Sequence, residues 1–112
     1  MYEREVRIAK TEALFRDVNE RIAETSGRFE ASDAEFMCEC ADPTCAERFE
    51  VPLEEYERVR DDATHFLLLP EHVEPEVERI VEKRRRYAVV EKFDRVVARI
   101  VRQLDPRAEP VT

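Results

Sequence analysis

Apolar positions in the first quarter of the chain repeat with the period of an amphipathic helix. The stripe contains Ile8, Leu14, Phe15, Val18 and Ile22. This spacing predicts a helix over residues 3–26, which ends at Gly27 because glycine readily takes the left-handed conformation of a helix C-cap. The helix either packs on its own domain or, since heptad-like steps also suit helix association, pairs with a second copy or a partner.

The middle of the chain is divided into short segments. Residues 35–37 and 48–51 predict two strands, the second of which alternates polar and apolar side chains. Apolar residues within 53–59 are spaced for a short helix. The apolar run 65–69 predicts a buried central strand, which ends at Pro70 because proline cannot donate to a β-ladder.

The last third of the chain predicts a hairpin and a helix. Residues 76–92 favour two strands that turn at Lys83 to Arg86, and Asp94 is a typical N-cap for the helix that follows. We therefore expect an α+β fold with a long N-terminal helix, a small sheet around a metal knuckle and a closing C-terminal helix. Residues 1–105 form a single predicted domain, and residues 106–112 a flexible tail.

Composition narrows the possible classes of protein. The 112 residues are 43% apolar, enough for one modest core, and 41% charged. Gly27 is the only glycine, which excludes glycine-rich phosphate and dinucleotide loops. The charged N-terminus lacks the apolar core of a secretory signal, and the longest apolar run, 66–70, is too short to cross a bilayer. These features predict a cytoplasmic protein without membrane contact.

Charge is unevenly distributed along the chain. Residues 35–78 carry 14 acidic and 3 basic side chains, a balance of −11, whereas residues 79–112 carry 10 basic and 5 acidic, a balance of +5. An acidic centre repels nucleic acid, while the basic C-terminal third can attract an anionic partner. The basic turn Lys83–Arg86 is the one segment that suits a phosphate backbone, although such a turn more often indicates a solvated hairpin tip.

Three cysteines lie within eight positions, in the sequence Cys38-Glu-Cys40-Ala-Asp-Pro-Thr-Cys45. In a cytoplasmic protein this cluster indicates metal ligands or redox thiols, because stable disulfides are rare in that compartment. An extended strand would hold Cys38 and Cys40 roughly 6.6 Å apart on one face, so the chain must curl at Glu39 to bind one ion. We expect Glu39→Ala, beside the ligands, to be nearly silent.

The residues before the third cysteine suggest a helix N-terminus. Asp42 suits an N-cap and Pro43 suits the first helical position, so Cys45 is predicted to lie in the first turn. Backbone N–H groups at that place lower the pKa of a thiol. Cys45 is therefore expected to be a thiolate.

A tetrahedral zinc ion that binds three thiolates needs a fourth ligand. The candidates are His72, His65, a nearby carboxylate such as Asp42, or water. His72 lies between two prolines, in a loop that can bend towards a metal. His65 begins an apolar strand, where histidine is often only a core or boundary residue. If strands 48–51 and 66–69 run parallel on either side of the short helix, however, His65 would lie nearer the cysteines.

Three stretches of the chain resemble a group of uncharacterised small bacterial proteins: residues 12–22, residues 36–45, and residues 72–82 running on to 87–92. The resemblance covers most of residues 12–107. It implies one zinc ion per chain, held at the positions of Cys38, Cys40, Cys45 and His72. Glu71 departs from the pattern, since the group commonly has glycine there. The resemblance implies no activity.

The leading functional hypothesis is a small zinc-stabilised adaptor or regulator that binds another macromolecule through helix 3–26 or the basic region 79–102. One alternative is a thiol redox switch that releases zinc on oxidation, and another is a nucleic-acid module that uses Lys83–Arg86. No catalytic constellation is visible, and the motif of zinc deaminases is absent. We expect a protein partner, with self-association through helix 3–26 as one form of it, and no nucleic-acid partner.

Overall fold

The computed structural model describes residues 2–108 and confirms the α+β class. In chain order the elements are α1 (Glu3–Arg28), β1 (Asp33–Met37), β2 (Arg48–Pro52), α2 (Leu53–Val59), β3 (His65–Leu68), a 3-10 turn (Pro70–His72), β4 (Glu78–Lys83), β5 (Ala88–Lys92) and α3 (Arg95–Gln103). Both terminal helices and the β4–β5 hairpin were predicted from the pattern of the sequence. Within residues 2–108, no helix combines the length and apolarity needed to cross a membrane.

The strands form two antiparallel sheets. β1 pairs with β2, with Phe36 opposite Phe49, and β5 lies at the centre of a second sheet with the order β3-β5-β4. The prediction that residues 65–69 form a central strand is therefore wrong, since β3 is an edge strand. The side chains of Phe66, Leu67 and Leu68 are buried because α2 and the segment after β1 cover the strand. An apolar run does not distinguish a central strand from a covered edge strand.

Aromatic stacking joins the two sheets into one core. Phe36 of β1 stacks on Tyr56 of α2 with ring centroids 4.3 Å apart, and Phe49 of β2 stacks on Tyr87 with centroids 5.4 Å apart. The rings of Phe36 and Tyr56 are fully buried. Stacked pairs of this kind contribute about 0.5–1.5 kcal/mol beyond the burial of their area. The β1–β2 hairpin therefore packs on the second sheet although no ladder connects the two.

The inner face of α1 is more polar than its apolar stripe predicts. Ile8 and Phe15 are buried as expected, but Leu14 is 61% exposed. Three polar residues occupy the inner face, each fully buried: Glu12, Arg16 and Asn19. The helix is therefore rotated relative to the prediction, because bonds to the rest of the chain hold these polar groups inside.

The C-terminal end of α1 also differs from the prediction. Gly27 is helical rather than left-handed, and the helix continues to Arg28. The residue with a positive φ is Glu30, at 56°. The reversal of the chain thus comes three residues later than the glycine indicated.

The prediction that Asp94 caps the last helix is confirmed, since its carboxylate accepts a hydrogen bond from the Val97 N–H at 3.0 Å at the start of α3.

Part of the predicted tail is bound to the helices. The Arg107 guanidinium donates to the Glu20 carboxylate at 2.6 and 2.8 Å and to the Glu57 carboxylate at 2.9 Å. Residues 109–112 lie outside the described residues. The domain boundary at residue 105 stays a prediction.

A lysine and two glutamates are buried together between α1, β4 and β5. The Lys92 ammonium contacts the carboxylates of Glu12 and Glu78, and all three side chains are fully buried. Burial raises the pKa of the Glu12 carboxyl to about 8, against the opposing charge of Lys92. The ammonium is the only cation that contacts these carboxylates among the described residues, so it balances the charge that burial would otherwise penalise.

Lys92→Met should lower the free energy of unfolding by about 3–5 kcal/mol, because it leaves two buried carboxylates without a cation while nearly preserving volume. Urea unfolding followed by circular dichroism measures the change. Lys83→Met, at the exposed hairpin turn, is the matched control and should alter stability by no more than about 0.5 kcal/mol. Equal stability of the two variants would contradict a structural role for the buried ammonium.

Candidate metal centre

Two chain segments, the loop between β1 and β2 and the turn after β3, bring four side chains together at one end of β3. Cys38 and Cys40 follow β1, Cys45 precedes β2, and His72 lies in the 3-10 turn after β3. One ligand atom from each residue lies within 4.8 Å of all the others. Such a group can bind a metal ion, and it consists of the four residues predicted from the sequence.

The spacing of the donor atoms suits a small tetrahedral ion. The Nδ1 atom of His72 lies 3.5 Å from the sulfur of Cys38 and 3.7 Å from the sulfur of Cys45. An ion with bonds of about 2.3 Å to sulfur and about 2.0–2.1 Å to nitrogen requires a sulfur–nitrogen edge of about 3.6 Å. The donors therefore need little rearrangement to bind such an ion.

A buried glutamate holds the chain between the first two cysteines. The N–H of Glu39 donates to the carbonyl of Leu67 at 2.9 Å, and its carboxylate accepts from the Leu67 N–H at 3.0 Å. Both backbone groups of one β3 residue are thus bonded to Glu39. The Glu39 side chain is fully buried, and the sulfurs of Cys38 and Cys40 lie within 4.8 Å of each other, closer than the roughly 6.6 Å expected for an extended strand.

An asparagine of α1 holds the same segment from the other side. The Asn19 amide donates to the Met37 carbonyl at 2.9 Å and accepts from the Met37 N–H at 2.8 Å. It also donates to the Glu39 carboxylate at 2.8 Å. Burial raises the pKa of the Glu39 carboxyl to about 7, while the bonds from Asn19 and Leu67 oppose that rise. Buried hydrogen bonds therefore hold the chain segment that leads into the cysteine cluster.

Cys45 is positioned by a turn and not by a helix. One Asp42 carboxylate oxygen accepts from the Thr44 N–H at 2.9 Å and from the Thr44 hydroxyl at 2.7 Å, and the Cys45 N–H donates to the Asp42 carbonyl at 3.0 Å. Asp42 thus bonds its own chain two residues on, as aspartate often does in loops. The predicted helix at Pro43 is wrong, because the chain continues into β2 after this single turn.

The thiols have unequal acidities. A hydrogen bond with Cys40 and burial raise the pKa of the Cys38 thiol, whereas the bond with Cys38 lowers the pKa of the Cys40 thiol to about 5. Burial raises the pKa of the Cys45 thiol, and no helix N-terminus lies beside it, so the reason given for a thiolate at Cys45 is wrong. The three sulfurs are too close to ionise together without a cation, because the thiolates would repel one another. A divalent metal ion would offset this repulsion.

His65 lies outside the centre. It begins β3, whereas the centre adjoins the other end, where the Leu69 N–H donates to the Cys38 sulfur at 3.3 Å. The suggestion that His65 approaches the cysteines along parallel strands is wrong, because β2 and β3 belong to different sheets. Its imidazole instead faces Asp62 and Glu91.

Two residues that shape the site were missed by the sequence analysis. Glu39 is fully buried, which overturns the expectation that Glu39→Ala would be nearly silent. No local signal marks it, because glutamate is abundant in this part of the chain. Asn19 carries a weak signal, since an asparagine in the middle of a helix usually has a specific hydrogen-bond partner or faces solvent.

Comparisons of the chain with protein-family models, with curated proteins and with solved structures found no match. The resemblance to small bacterial proteins therefore stays a prediction.

Glu39→Ala should lower the free energy of unfolding of the metal-loaded protein by about 3 kcal/mol, because it leaves the Leu67 N–H and the Asn19 amide with an unpaired donor in a buried place. Chemical denaturation at fixed metal content measures this. Glu50→Ala, on the exposed side of β2, is the control and should be within about 0.5 kcal/mol of the wild type. A Glu39→Ala protein as stable as the control would show that the buried carboxylate has no structural role.

Proposed function

We propose that the cysteine–histidine group holds one zinc ion per chain and that this ion stabilises the fold without performing chemistry. The observation that carries the proposal is the convergence of Cys38, Cys40, Cys45 and His72 from two chain segments, with the His72 nitrogen at tetrahedral distance from two of the sulfurs. Soft thiolate ligands together with imidazole favour zinc among the common divalent ions. Cys38 and Cys40 are each 1% exposed, as suits an ion shielded from water.

The ligand set argues for a structural and not a catalytic ion. Three thiolates and one neutral imidazole fill the tetrahedron and give the complex a net charge of −1, so no position remains for an activated water. The ion would connect the loop between β1 and β2 to the turn after β3. Structural zinc can contribute on the order of 10 kcal/mol at neutral pH, which is comparable to the whole stability of a small domain.

Dialysis against a weak competing chelator should leave one zinc ion per chain in the wild type, measured by native mass spectrometry. His72→Ala should lose this ion because it removes the one nitrogen ligand of the group. His65→Ala should retain it, since His65 lies at the other end of β3. Equal retention by the two variants, or loss from His65→Ala alone, would contradict the ligand assignment.

We assign the zinc-stabilised domain a role in binding another macromolecule, with the outer face of α1 as the contact surface. Leu14 is 61% exposed, and Val18 and Ile22, which are half-buried, follow it at helical spacing. Val18 and Ile22 also line a shallow surface depression. Apolar side chains that are exposed or half-buried along one side of a helix are typical of helix-to-helix contacts. The surface supports either a protein partner or self-association through α1.

A photo-crosslinking amino acid at position 14 tests this role in the cells that naturally produce the protein. The same amino acid at position 50, on the exposed side of β2, is the control. Position 14 should give a discrete adduct that position 50 does not give, because a partner covers the α1 surface. An adduct of twice the chain mass would indicate self-association, and any other mass a different protein. The absence of an adduct specific to position 14 would contradict the proposal.

A further inference from the structure

A second group of side chains that could hold a metal ion lies at the other end of β3. His65 is the first residue of β3, Glu91 is its partner across the ladder in β5, and Asp62 is in the turn just before. The Nε2 atom of His65 lies 3.6 Å from Oδ2 of Asp62 and 3.4 Å from Oε2 of Glu91. One ligand atom from each of the three residues lies within 4.8 Å of the other two.

These distances are too long for good hydrogen bonds. A charged imidazole that donates to a carboxylate usually does so at about 2.7–2.9 Å. By contrast, a tetrahedral ion with bonds of about 2.0–2.1 Å to nitrogen and oxygen separates its ligands by about 3.4 Å. The spacing of the Nε2 atom from both oxygens therefore fits a shared metal ion better than a shared proton.

Each carboxylate has one oxygen bonded elsewhere and the other directed at His65. Oδ1 of Asp62 accepts from the Thr64 N–H at 2.9 Å and from the Thr64 hydroxyl at 2.7 Å, and Oε1 of Glu91 accepts from Arg79 at 3.0 Å. Bonds of this kind orient metal ligands in protein sites. They leave Oδ2 of Asp62 and Oε2 of Glu91 as the available donors.

We propose that Asp62, His65 and Glu91 bind a divalent transition-metal ion, such as zinc, at a second site independent of the cysteine centre. Two carboxylates and a neutral imidazole balance the charge of such an ion, and the nitrogen ligand disfavours magnesium and calcium. The side chains are 50%, 24% and 31% exposed respectively, so water completes the coordination shell. β3 separates the two sites by about 13 Å.

The site should be the weaker of the two, because it offers three protein ligands and no thiolate. Zinc titration of the full-length protein, already loaded at the cysteine centre, tests it by equilibrium dialysis in a buffered range of free zinc. The wild type should take up a second equivalent, and His65→Gln and Asp62→Asn should not. Glu50→Gln, which removes a carboxylate from the exposed side of β2, is the control and should still take up two.

Nuclear magnetic resonance of the wild-type imidazole adds a measurement that needs no variant. During the zinc titration the ring nitrogens of His65 should shift at saturation to values of a metal-bound imidazole, at a pH where the ring is already neutral. A wild type that stops at one equivalent with an unchanged His65 ring would overturn the proposal, as would a folded His65→Gln variant that still binds two. These outcomes leave the tight equivalent at the cysteine centre untouched, so failure here is distinct from failure of that site.

Discussion

The open edge of β3 is the constraint on which the rest of the structure depends. β5 covers only one side of this strand, and unpaired backbone groups on the other side would be buried at a cost. Glu39 satisfies both groups of Leu67, and the sulfur of Cys38 accepts from the N–H of Leu69. The cysteine segment therefore occupies the place of a neighbouring strand beside β3, and this contact also brings the candidate metal ligands together.

The same small core carries an unusual amount of buried charge. Among the described residues, Glu12, Arg16, Glu39, Glu78 and Lys92 are all buried. Each has a partner of fixed geometry: Arg16, for example, donates to the carbonyls of Ala63 and Val101 at 2.8 and 2.7 Å. Buried ion pairs add little net stability, but removing one member is costly. Such a core penalises misplacement of α1, which explains why the polar face and not the apolar stripe determines its rotation.

Features with local causes could be predicted from the sequence. The turn at Lys83–Arg86, the cap at Asp94 and the cysteine cluster each depend on residues close together in the chain. Features with distant causes could not: Glu39 is buried because of Leu67 and Asn19, 28 and 20 residues away in the chain. The division of the strands into two sheets likewise depends on aromatic packing between distant residues, which the spacing of apolar residues along the chain does not reveal.

The choice of histidine shows the same limit. Spacing alone left His65 and His72 both open, and the topology expected for β2 and β3 pointed to the wrong one. In the structure the two histidines lie at opposite ends of β3. His72 lies beside the cysteines, whereas His65, opposite Glu91 in the antiparallel pairing of β3 with β5, lies beside Asp62 and Glu91. A three-residue 3-10 turn after Pro70 brings the His72 ring to the sulfurs, and nothing in the sequence specifies that approach.

The central claim is that a metal held by three sulfurs and one nitrogen closes the fold. X-ray absorption at the zinc edge, on protein containing one zinc equivalent, tests it most directly. We expect three sulfur neighbours at about 2.3 Å, one imidazole nitrogen at about 2.0–2.1 Å and no oxygen. A spectrum that requires an oxygen neighbour, or fewer than three sulfurs, would contradict the account.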